Sequence, residues 1–385
     1  MIRPVTLIDA MKAAIAGALV RALLPGLLAL ACLIAGARLP ARAAEPVPAA
    51  WAGALAGEPG WAAYRTRFVA ASGRVVDTGN GGISHSEGQG YGMLLAVAAG
   101  DREAFERIWG WTRANLMVRD DQLLAWRWEP DRRPGVADMN DAADGDILVA
   151  WALVEAADAW GEPAHRMAAR RVAVELGRKL ILARAPGGPL LLPGVAGFSA
   201  EERADGPVVN LSYWIFPAFP RLAAVAPEFP WAGLGRSGQR LLAQARFGTA
   251  GLPVEWTALH AARSGPPRPA EGFPPHFAYN ALRIPLYLAM AGIRERALYA
   301  PFLALWSQSE GGLPLVDVES GRTTERLAET GYAAIPALAA CAVQGTPVPR
   351  ALRAVRAESE HYYPATLHLL ALAGLATRFP ECVLR

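Results

Sequence analysis

The sequence predicts an all-α fold, an (α/α)6 toroid in which six inner helices are surrounded by six outer helices. Six apolar segments rich in small residues each open with a polar or aromatic cluster, and the openings are separated by 33 to 68 residues. Amphipathic helices fit the intervals, for example at residues 101–116, 163–183 and 237–247. The pattern lacks the strand–helix alternation of a parallel sheet. The openings begin at Glu87, Asp144, Leu211, Tyr279, Glu329 and Tyr362.

The six openings are predicted to share one cleft, because the inner helices of such a toroid run parallel and bring their first turns to one rim. The first opening carries Glu87 and three glycines at alternate positions from Gly88 to Gly92. A glycine inside a helix costs up to about 1 kcal/mol relative to alanine. The three glycines therefore indicate that a ligand lies against this backbone. The alternative is an ordinary helix start with Ser84 or Ser86 as N-cap.

Residues 1–43 have the features of a secretory signal peptide. Basic residues precede an apolar run at residues 22–37, and residues 41–43 form a small-x-small cleavage site. The alternative is a membrane anchor, which the short run and its Pro25–Gly26 break disfavour. Removal of residues 1–43 lowers the formal net charge from +3 to −1, which argues against nucleic acid as a partner. We expect a periplasmic or secreted protein with one domain at residues 44–385.

The remaining cysteines and histidines limit the chemistry. Cys341 and Cys382 lie beyond the signal peptide and can form one disulfide in an oxidising compartment. The histidines lack the spacing of zinc ligands, so we expect no metal and no cofactor. We also expect the protein to be a monomer.

Two Pro/Gly-rich stretches, residues 186–197 and 265–275, are predicted to form rim loops or short hairpins.

A second carboxylate and several tryptophans are candidates for the same cleft. Asp144 opens a helix with little polar face, so its carboxylate is expected at the cleft floor beside Glu87. An ordinary helix cap is the alternative. Trp126 and Trp128 lie on a non-helical link. Flat aromatic faces beside carboxylates suit sugar rings, although core packing is the usual role of tryptophan.

Three segments resemble the signature regions of glycoside hydrolase family 8. They read SEGQGYGM at residues 86–93, ADGDILVA at residues 143–150 and YNALR at residues 279–283. The resemblance runs from about residue 50 to residue 375 and is strongest to the endoglucanases that accompany bacterial cellulose synthesis. It implies an (α/α)6 barrel and metal-free hydrolysis of β-1,4-linked glycans with inversion.

The resemblance also implies roles for individual residues. Glu87 matches the general acid, and Asp144 matches a carboxylate that binds and helps distort the central sugar. Asn280 occupies the position at which many members have an aspartate as general base. The residues expected to bind the glycan are Tyr91, Trp126, Trp128, Tyr213, Tyr279, Arg283 and Tyr362.

The asparagine at position 280 leaves the general base open. Inversion needs a second carboxylate about 6.5–9.5 Å from the acid, and an amide cannot take a proton from water. Asn280 can position the water while another acid supplies the basicity. Glu271, nine residues upstream, is our candidate for that acid, with Asp317 or Glu329 as alternatives. A solvated loop residue is the competing interpretation of Glu271.

The function predicted from these residues is endo-acting hydrolysis of cellulose by a β-1,4-glucanase. The expected partners are β-1,4-glucan and the cellulose synthase and export machinery. Chitosan or xylan is an alternative substrate on the same fold. A different alternative is a glycan-binding export factor that has lost catalysis, which the asparagine at position 280 would explain.

Overall fold

The computed structural model describes residues 51–259 and 265–383, and the predicted signal peptide at residues 1–43 lies outside that part. Among the described residues, no helix combines the length and the apolar character needed to cross a membrane. The α-helices are α1 (Pro59–Phe68), α2 (Ser86–Ala99), α3 (Arg102–Asn115), α4 (Ala143–Trp160), α5 (Pro163–Lys179), α6 (Phe219–Ala223), α7 (Trp231–Gln244), α8 (Arg283–Met290), α9 (Arg296–Ser307), α10 (Ala334–Gln344) and α11 (Tyr362–Arg378). The strands are β1 (Ser84–His85), β2 (Arg127–Trp128), β3 (Ile181–Leu182), β4 (Leu190–Leu191), β5 (Val208–Val209), β6 (Thr257–Ala258), β7 (Arg268–Pro269), β8 (His276–Phe277), β9 (Leu313–Asp317) and β10 (Thr323–Leu327).

Six segments form a closed inner ring. Helix α2 packs against α4, and α4 packs against a segment that holds the 3-10 turn Leu211–Tyr213 and helix α6. That turn contacts α8, α8 packs against α10, α10 packs against α11, and α11 returns to α2. Burial along the ring is nearly complete, since every residue of α4 from Ala143 to Ala157 is buried. The toroid predicted from the sequence is therefore the architecture of the protein.

The outer helices bury only one face each. In α3, Ala104, Phe105 and Ile108 are buried at helical spacing, while its charged residues face outward. Helices α1, α3, α5, α7 and α9 each pack against members of the inner ring. The predicted helices at residues 101–116 and 163–183 correspond to α3 and α5, and α7 begins earlier than the predicted residue 237.

Two predicted helices are wrong in extent, and proline explains both differences. The third inner segment is mostly irregular because Pro217 and Pro220 remove backbone donors and restrict the preceding residues, so α6 covers only Phe219–Ala223. The interval between α10 and α11 contains Pro347 and Pro349, and it forms only the 3-10 turn Arg350–Leu352 instead of a sixth outer α-helix.

Short antiparallel strands connect the helices. Strand β1 pairs with β2, β3 pairs with β4, and two three-stranded sheets have the orders β5–β6–β7 and β8–β9–β10. The predicted loop at residues 186–197 contains β4, and the one at residues 265–275 contains β7. The expectation of short hairpin strands in these Pro/Gly-rich stretches is confirmed.

Cys341 and Cys382 form a disulfide that joins α10 to the 3-10 turn Pro380–Cys382 after α11. Both cysteines are buried. The bond ties the last inner helix and the C-terminal turn to the helix before it, across a sequence separation of 41 residues.

We expect replacement of both cysteines by alanine to lower the free energy of unfolding by about 2–4 kcal/mol, because the cross-link restricts the unfolded chain. Urea unfolding of the oxidised protein measures the change. Wild-type protein with its disulfide reduced is the matched control and should approach the double variant. Equal unfolding midpoints for oxidised wild type and the double variant would contradict this expectation.

Candidate active site

An open cleft of about 770 Å³ lies where the inner segments begin. Its described lining consists of Asp77, Gly79, Asn80, Ile83, His85, Ser86, Glu87, Trp126, Ala142, Asp144, Tyr213, Trp256, Tyr279, Asn280, Glu325, Arg326, Leu327, Ala328, Glu329, Tyr332, His361, Tyr363 and Pro364. Each of the six predicted openings supplies at least one of these residues. The prediction of a single shared cleft is therefore confirmed.

His85 caps the N-terminus of helix α2, and Glu87 lies in the first turn of that helix. The Nδ1 atom of His85 accepts a hydrogen bond from the backbone N–H of Gly88 at 2.9 Å. The other ring nitrogen lies 3.3 Å from the Asp77 carboxylate. His85 is thus the N-cap, and the predicted serine cap at position 84 or 86 is wrong. The imidazole replaces a serine oxygen as the acceptor for an otherwise unpaired backbone donor.

The glycines near Glu87 allow helices to approach each other closely. A Cβ atom on Gly90 would lie 2.5 Å from Leu148 Cβ, and one on Gly145 would lie 2.0 Å from Ser86 Oγ. Because neither position has room for a side chain, the first turns of α2 and α4 come into direct contact. Cβ atoms on Gly88 and Gly92 would likewise lie against protein atoms, 2.9 Å from the Tyr362 hydroxyl and 2.7 Å from Val75 Cγ2. The prediction that a ligand lies against these glycines is therefore wrong, and the close packing places Glu87 near Asp144.

Arg283 joins the two carboxylates. Its Nη1 atom lies 2.8 Å from Glu87 Oε1 and 2.9 Å from Asp144 Oδ2. Its Nη2 atom donates to Asn280 Oδ1 at 2.6 Å and to Ser212 Oγ at 3.1 Å. The Arg283 side chain is fully buried and that of Asp144 is 2% exposed, whereas that of Glu87 is 18% exposed. A polymer in the cleft can therefore reach Glu87, whereas Arg283 contacts the two carboxylates from the buried side of the cleft floor.

Burial determines the ionisation of the cleft floor. Burial raises the pKa of Asp144 to about 6, with Arg283 lowering the pKa and the Glu87 charge raising it. Burial alone would lower the pKa of Arg283, but Glu87 and the surrounding groups raise it well above its usual range. Arg283 therefore stays protonated, and Asp144 is ionised at neutral pH.

The predicted sugar-binding residues separate into two sets. Trp126, Tyr213 and Tyr279 line the cleft. Tyr91 on α2 and Tyr362 on α11 are instead fully buried in the protein core. The hydroxyl of Tyr91 accepts from Arg283 Nη1 at 3.3 Å and bonds to the Tyr287 hydroxyl.

Arg283 and Trp128 also lie outside the described lining. The Trp128 ring packs edge-on against Trp111, with centroids 5.5 Å apart, and the Arg74 guanidinium lies 5.1 Å from the Trp128 centroid. Direct sugar contact by the residues outside the lining stays a prediction.

Several cleft residues were not predicted from the sequence. Trp256 lies between Phe198 and Phe273 in sequence order and stacks with both rings, at centroid distances of 5.4 and 4.8 Å. Glu325 on β10 accepts a hydrogen bond from the Tyr279 hydroxyl at 2.7 Å. Both positions come from short strands or their edges, which carry no recognisable motif, so only the folded chain reveals them.

The candidates for the general base occupy different places. Asn280 lines the cleft, and its backbone N–H donates to Glu255 Oε1 at 2.6 Å. Glu329 also lines the cleft and accepts from the backbone N–H of His361 at 2.6 Å. Glu271 is exposed, its backbone bonds to Asp205 and Arg203, and it is absent from the described lining. Its role as base stays a prediction.

Glu271→Gln tests that role. If Glu271 is the base, kcat on carboxymethylcellulose should fall about 10²–10⁴-fold, because the amide cannot accept the water proton, while KM should change little. Glu319→Gln, which removes another exposed carboxylate from a loop, is the matched control. Full activity of Glu271→Gln would remove Glu271 from the list of bases.

The described residues contain no group of three or more acidic, histidine or cysteine side chains arranged to hold a metal ion.

Known proteins resemble this chain in sequence and in fold. The family model of the glycosyl hydrolases family 8 matches residues 47–376. A probable endoglucanase of Novacetimonas hansenii is 38% identical over 279 residues, which cover 71% of this chain and 80% of that protein. An endoglucanase of Cellulomonas uda is 39% identical over 263 residues, which cover 68% of this chain and 70% of that protein.

A solved structure agrees with this relationship. The crystal structure of an endoglucanase from Klebsiella pneumoniae, a family 8 glycosyl hydrolase, superimposes with a TM-score of 0.74 at 35% identity and covers 83% of this chain and all of that one. The match of the family model extends over most of the chain and includes all six openings of the cleft. This protein belongs to the glycosyl hydrolases family 8.

Proposed function

We propose that the protein is an endo-acting β-1,4-glucanase that hydrolyses cellulose-type glycans with inversion. The observation that carries the proposal is the placement of Glu87 and Asp144 on one guanidinium at the floor of an open cleft. The endoglucanases of Novacetimonas hansenii and Cellulomonas uda support the same substrate class.

In this proposal Glu87 is the general acid. Its carboxyl group donates a proton to the glycosidic oxygen as the bond between that oxygen and the anomeric carbon breaks. The carboxylate that remains lies 2.8 Å from Arg283 Nη1. The guanidinium therefore stabilises the negative charge that Glu87 acquires in the step in which the leaving group departs.

Asp144 supports the sugar from which the leaving group departs. The anomeric carbon and ring oxygen acquire positive charge in an oxocarbenium-like transition state. With a pKa of about 6, Asp144 carries negative charge at neutral pH, in a buried position where little solvent screens it. Its carboxylate therefore stabilises the transition state more than the neutral substrate.

Inversion is completed by a water molecule that attacks the anomeric carbon from the opposite face and gives its proton to a base. Asn280 lies on the cleft wall beside Arg283 and offers an amide oxygen that can orient this water. Glu271 is the proposed base, and the activity of Glu271→Gln on carboxymethylcellulose decides this assignment.

The acidic lining favours chitosan as a second candidate substrate. Chitosan carries ammonium groups in mildly acidic solution, and a cleft of one charge sign attracts a polymer of the other. Arg326 is the one arginine among the described lining residues. The carboxylates that line the cleft are Asp77, Glu87, Asp144, Glu325 and Glu329.

Reducing-end release from carboxymethylcellulose, chitosan and xylan tests the proposal. We expect the largest kcat/KM on carboxymethylcellulose, together with a rapid fall in viscosity, because endo cleavage shortens chains before many ends appear. Higher activity on chitosan would transfer the assignment to that polymer. Oligosaccharide binding without new reducing ends over a long incubation would instead favour a glycan-binding export factor.

We also propose that the protein is exported and works beside the machinery that synthesises and exports cellulose. The signal-peptide pattern of residues 1–43 supports export. Cell fractionation combined with N-terminal sequencing of the mature protein tests this. An N-terminus close to residue 44 in the periplasm or medium is expected, and a full-length cytoplasmic protein would refute it.

A further inference from the structure

The Asn280 side chain is held from two sides. Its Oδ1 atom accepts a hydrogen bond from Arg283 Nη2 at 2.6 Å. The Glu255 carboxylate accepts a hydrogen bond at 2.6 Å from the Asn280 backbone N–H, and the Asn280 side chain also lowers the pKa of Glu255. With its oxygen bound to Arg283, the amide presents its nitrogen as the side-chain donor for Glu255, since a carboxylate only accepts. The amide therefore has one orientation, with its oxygen toward Arg283 and its nitrogen toward Glu255.

Glu255 lies behind the cleft wall. It is half-buried just before β6 and is absent from the described lining, whereas Asn280 belongs to that lining. Burial raises the pKa of Glu255, while the hydrogen bonds from Asn280 and the charges of Arg283 and His276 lower it. His276 in turn lies 3.8 Å from Asp317. Glu255 thus faces two basic side chains and one amide from a place outside the described lining.

The carboxylate at position 255 and the amide at position 280 are complementary as hydrogen-bond acceptor and donor, which two carboxylates or two amides would not be. Two carboxylates in contact at positions 255 and 280 would repel each other, since both cannot be ionised without cost. Two amides would bring two N–H donors together while the backbone N–H of Asn280 still needs its acceptor. An asparagine at position 280 is therefore a better partner for Glu255 than an aspartate would be.

We propose that Glu255 is a positioning residue that fixes the Asn280 amide, so that the second lone pair of Asn280 Oδ1 accepts a hydrogen bond from the attacking water or a sugar hydroxyl. Arg283 occupies one acceptor site of this oxygen, which leaves the other for the cleft. The inference rests on the proposed glucanase activity and deepens it, since it names a residue outside the cleft that sets the donor and acceptor pattern inside it.

Exchange of the two side chains tests the proposal. The variants are Glu255→Gln, Asn280→Asp and the double variant that carries both. Glu255→Gln is expected to lower kcat on carboxymethylcellulose about tenfold or more with less than about a twofold change in KM, because a hydrogen bond to the Asn280 amide is lost. Asn280→Asp places a carboxylate where many family members have their general base, so it is compared with the double variant by its pH–kcat profile. Repulsion from Glu255 should keep the new carboxylate protonated to a higher pH in Asn280→Asp than in the double variant. In the double variant the glutamine at position 255 would donate to the carboxylate at position 280, which would still accept from Arg283, so the side-chain bonds are restored.

The kcat values and pH–kcat profiles of the variants distinguish a positioning role of Glu255 from a structural one. The proposal is supported if kcat of Glu255→Gln falls below that of wild type and the acidic limb of the pH–kcat profile lies at higher pH in Asn280→Asp than in the double variant. Wild-type kcat in Glu255→Gln, or coincident acidic limbs in Asn280→Asp and the double variant, overturns it. Glu255→Asp, which retains the charge, should recover part of the kcat lost in Glu255→Gln. A purely structural role would instead change protein yield and unfolding temperature without this shift of the pH–kcat profile.

Two controls separate this test from that of the proposed function. Wild-type activity on carboxymethylcellulose is measured first, because its absence rejects the glucanase and not the pairing of Glu255 with Asn280. If Glu255→Gln does not fold, Glu255→Asp takes its place. The shorter side chain keeps the charge but moves the carboxylate away from the Asn280 amide, so its kcat should fall below that of wild type with little change in KM, and wild-type kcat would overturn the proposal. Glu319→Gln removes an exposed carboxylate outside these contacts and should retain wild-type kcat.

Discussion

Glu87→Gln is expected to lower kcat on carboxymethylcellulose by at least about a thousandfold, because the variant has no proton to give the leaving oxygen. The glutamine keeps the size of the side chain, and its oxygen can take the place of Glu87 Oε1, which lies 2.8 Å from Arg283 Nη1. The geometry of the cleft floor is therefore retained. Reducing-end release under saturating substrate measures the change.

The folded state of Glu87→Gln provides the control. Its unfolding temperature should stay close to that of wild type, and calorimetry should show that it still binds a cello-oligosaccharide. Glu319→Gln, an exchange of the same type at an exposed loop position, should leave kcat unchanged. More than a few per cent residual activity in Glu87→Gln would remove Glu87 as the general acid.

Arg283→Met is expected to lower the free energy of unfolding by about 3–5 kcal/mol at pH 7, because it leaves buried carboxylates without their cation. The Asp144 side chain is 2% exposed, and Arg283 is the cation that lowers its pKa. Activity should fall as well, since Glu87 and Asp144 would repel each other and move apart. Urea unfolding and the reducing-end assay measure the two effects.

The loss in Arg283→Met should depend on pH with a definite sign. The pKa of Asp144 is already raised to about 6 by burial, and removal of Arg283 raises it further. A carboxyl group with a raised folded pKa contributes stability below its unfolded value near 4, and this contribution is lost as the pH rises through the folded value. The variant should therefore be closest to wild type at about pH 4–5 and weakest above about pH 6.

A second arginine provides the comparison for Arg283. Arg326 lines the same cleft but is exposed, so Arg326→Met should change the free energy of unfolding by less than about 0.5 kcal/mol. Equal losses in Arg283→Met and Arg326→Met, or a loss in Arg283→Met that does not vary with pH, would contradict the role of Arg283 as the shared counter-ion.

The toroid could be predicted because its inner helices have an unusual composition. Helices such as α2 and α4 are apolar on all sides, and a single polar group of residues marks the start of each one. These local features are readable without any knowledge of tertiary contacts. Where prolines interrupt the pattern, the same reasoning predicted a long helix that is cut to five residues after Pro217 and an outer α-helix that does not form at Pro347.

The details of the site could not be read from the sequence because they depend on contacts between distant residues. The residue at position 90 is a glycine because Leu148 lies against it, and no local pattern distinguishes this from a ligand contact. Glu255 and Asn280 are 25 residues apart on loops of irregular structure. A carboxylate at one position therefore gave no signal about the amide at the other.

The guanidinium of Arg283 draws together groups that are remote along the chain, since Asp144 lies 139 residues before it. The acids come from α2 and α4, and the cation comes from α8, so a shortened polypeptide that stops before α8 would retain both negative side chains without the group that neutralises them. Such a fragment would have to leave its carboxylates in water or bind protons to them. Assembly of the catalytic floor is thus coupled to completion of the ring.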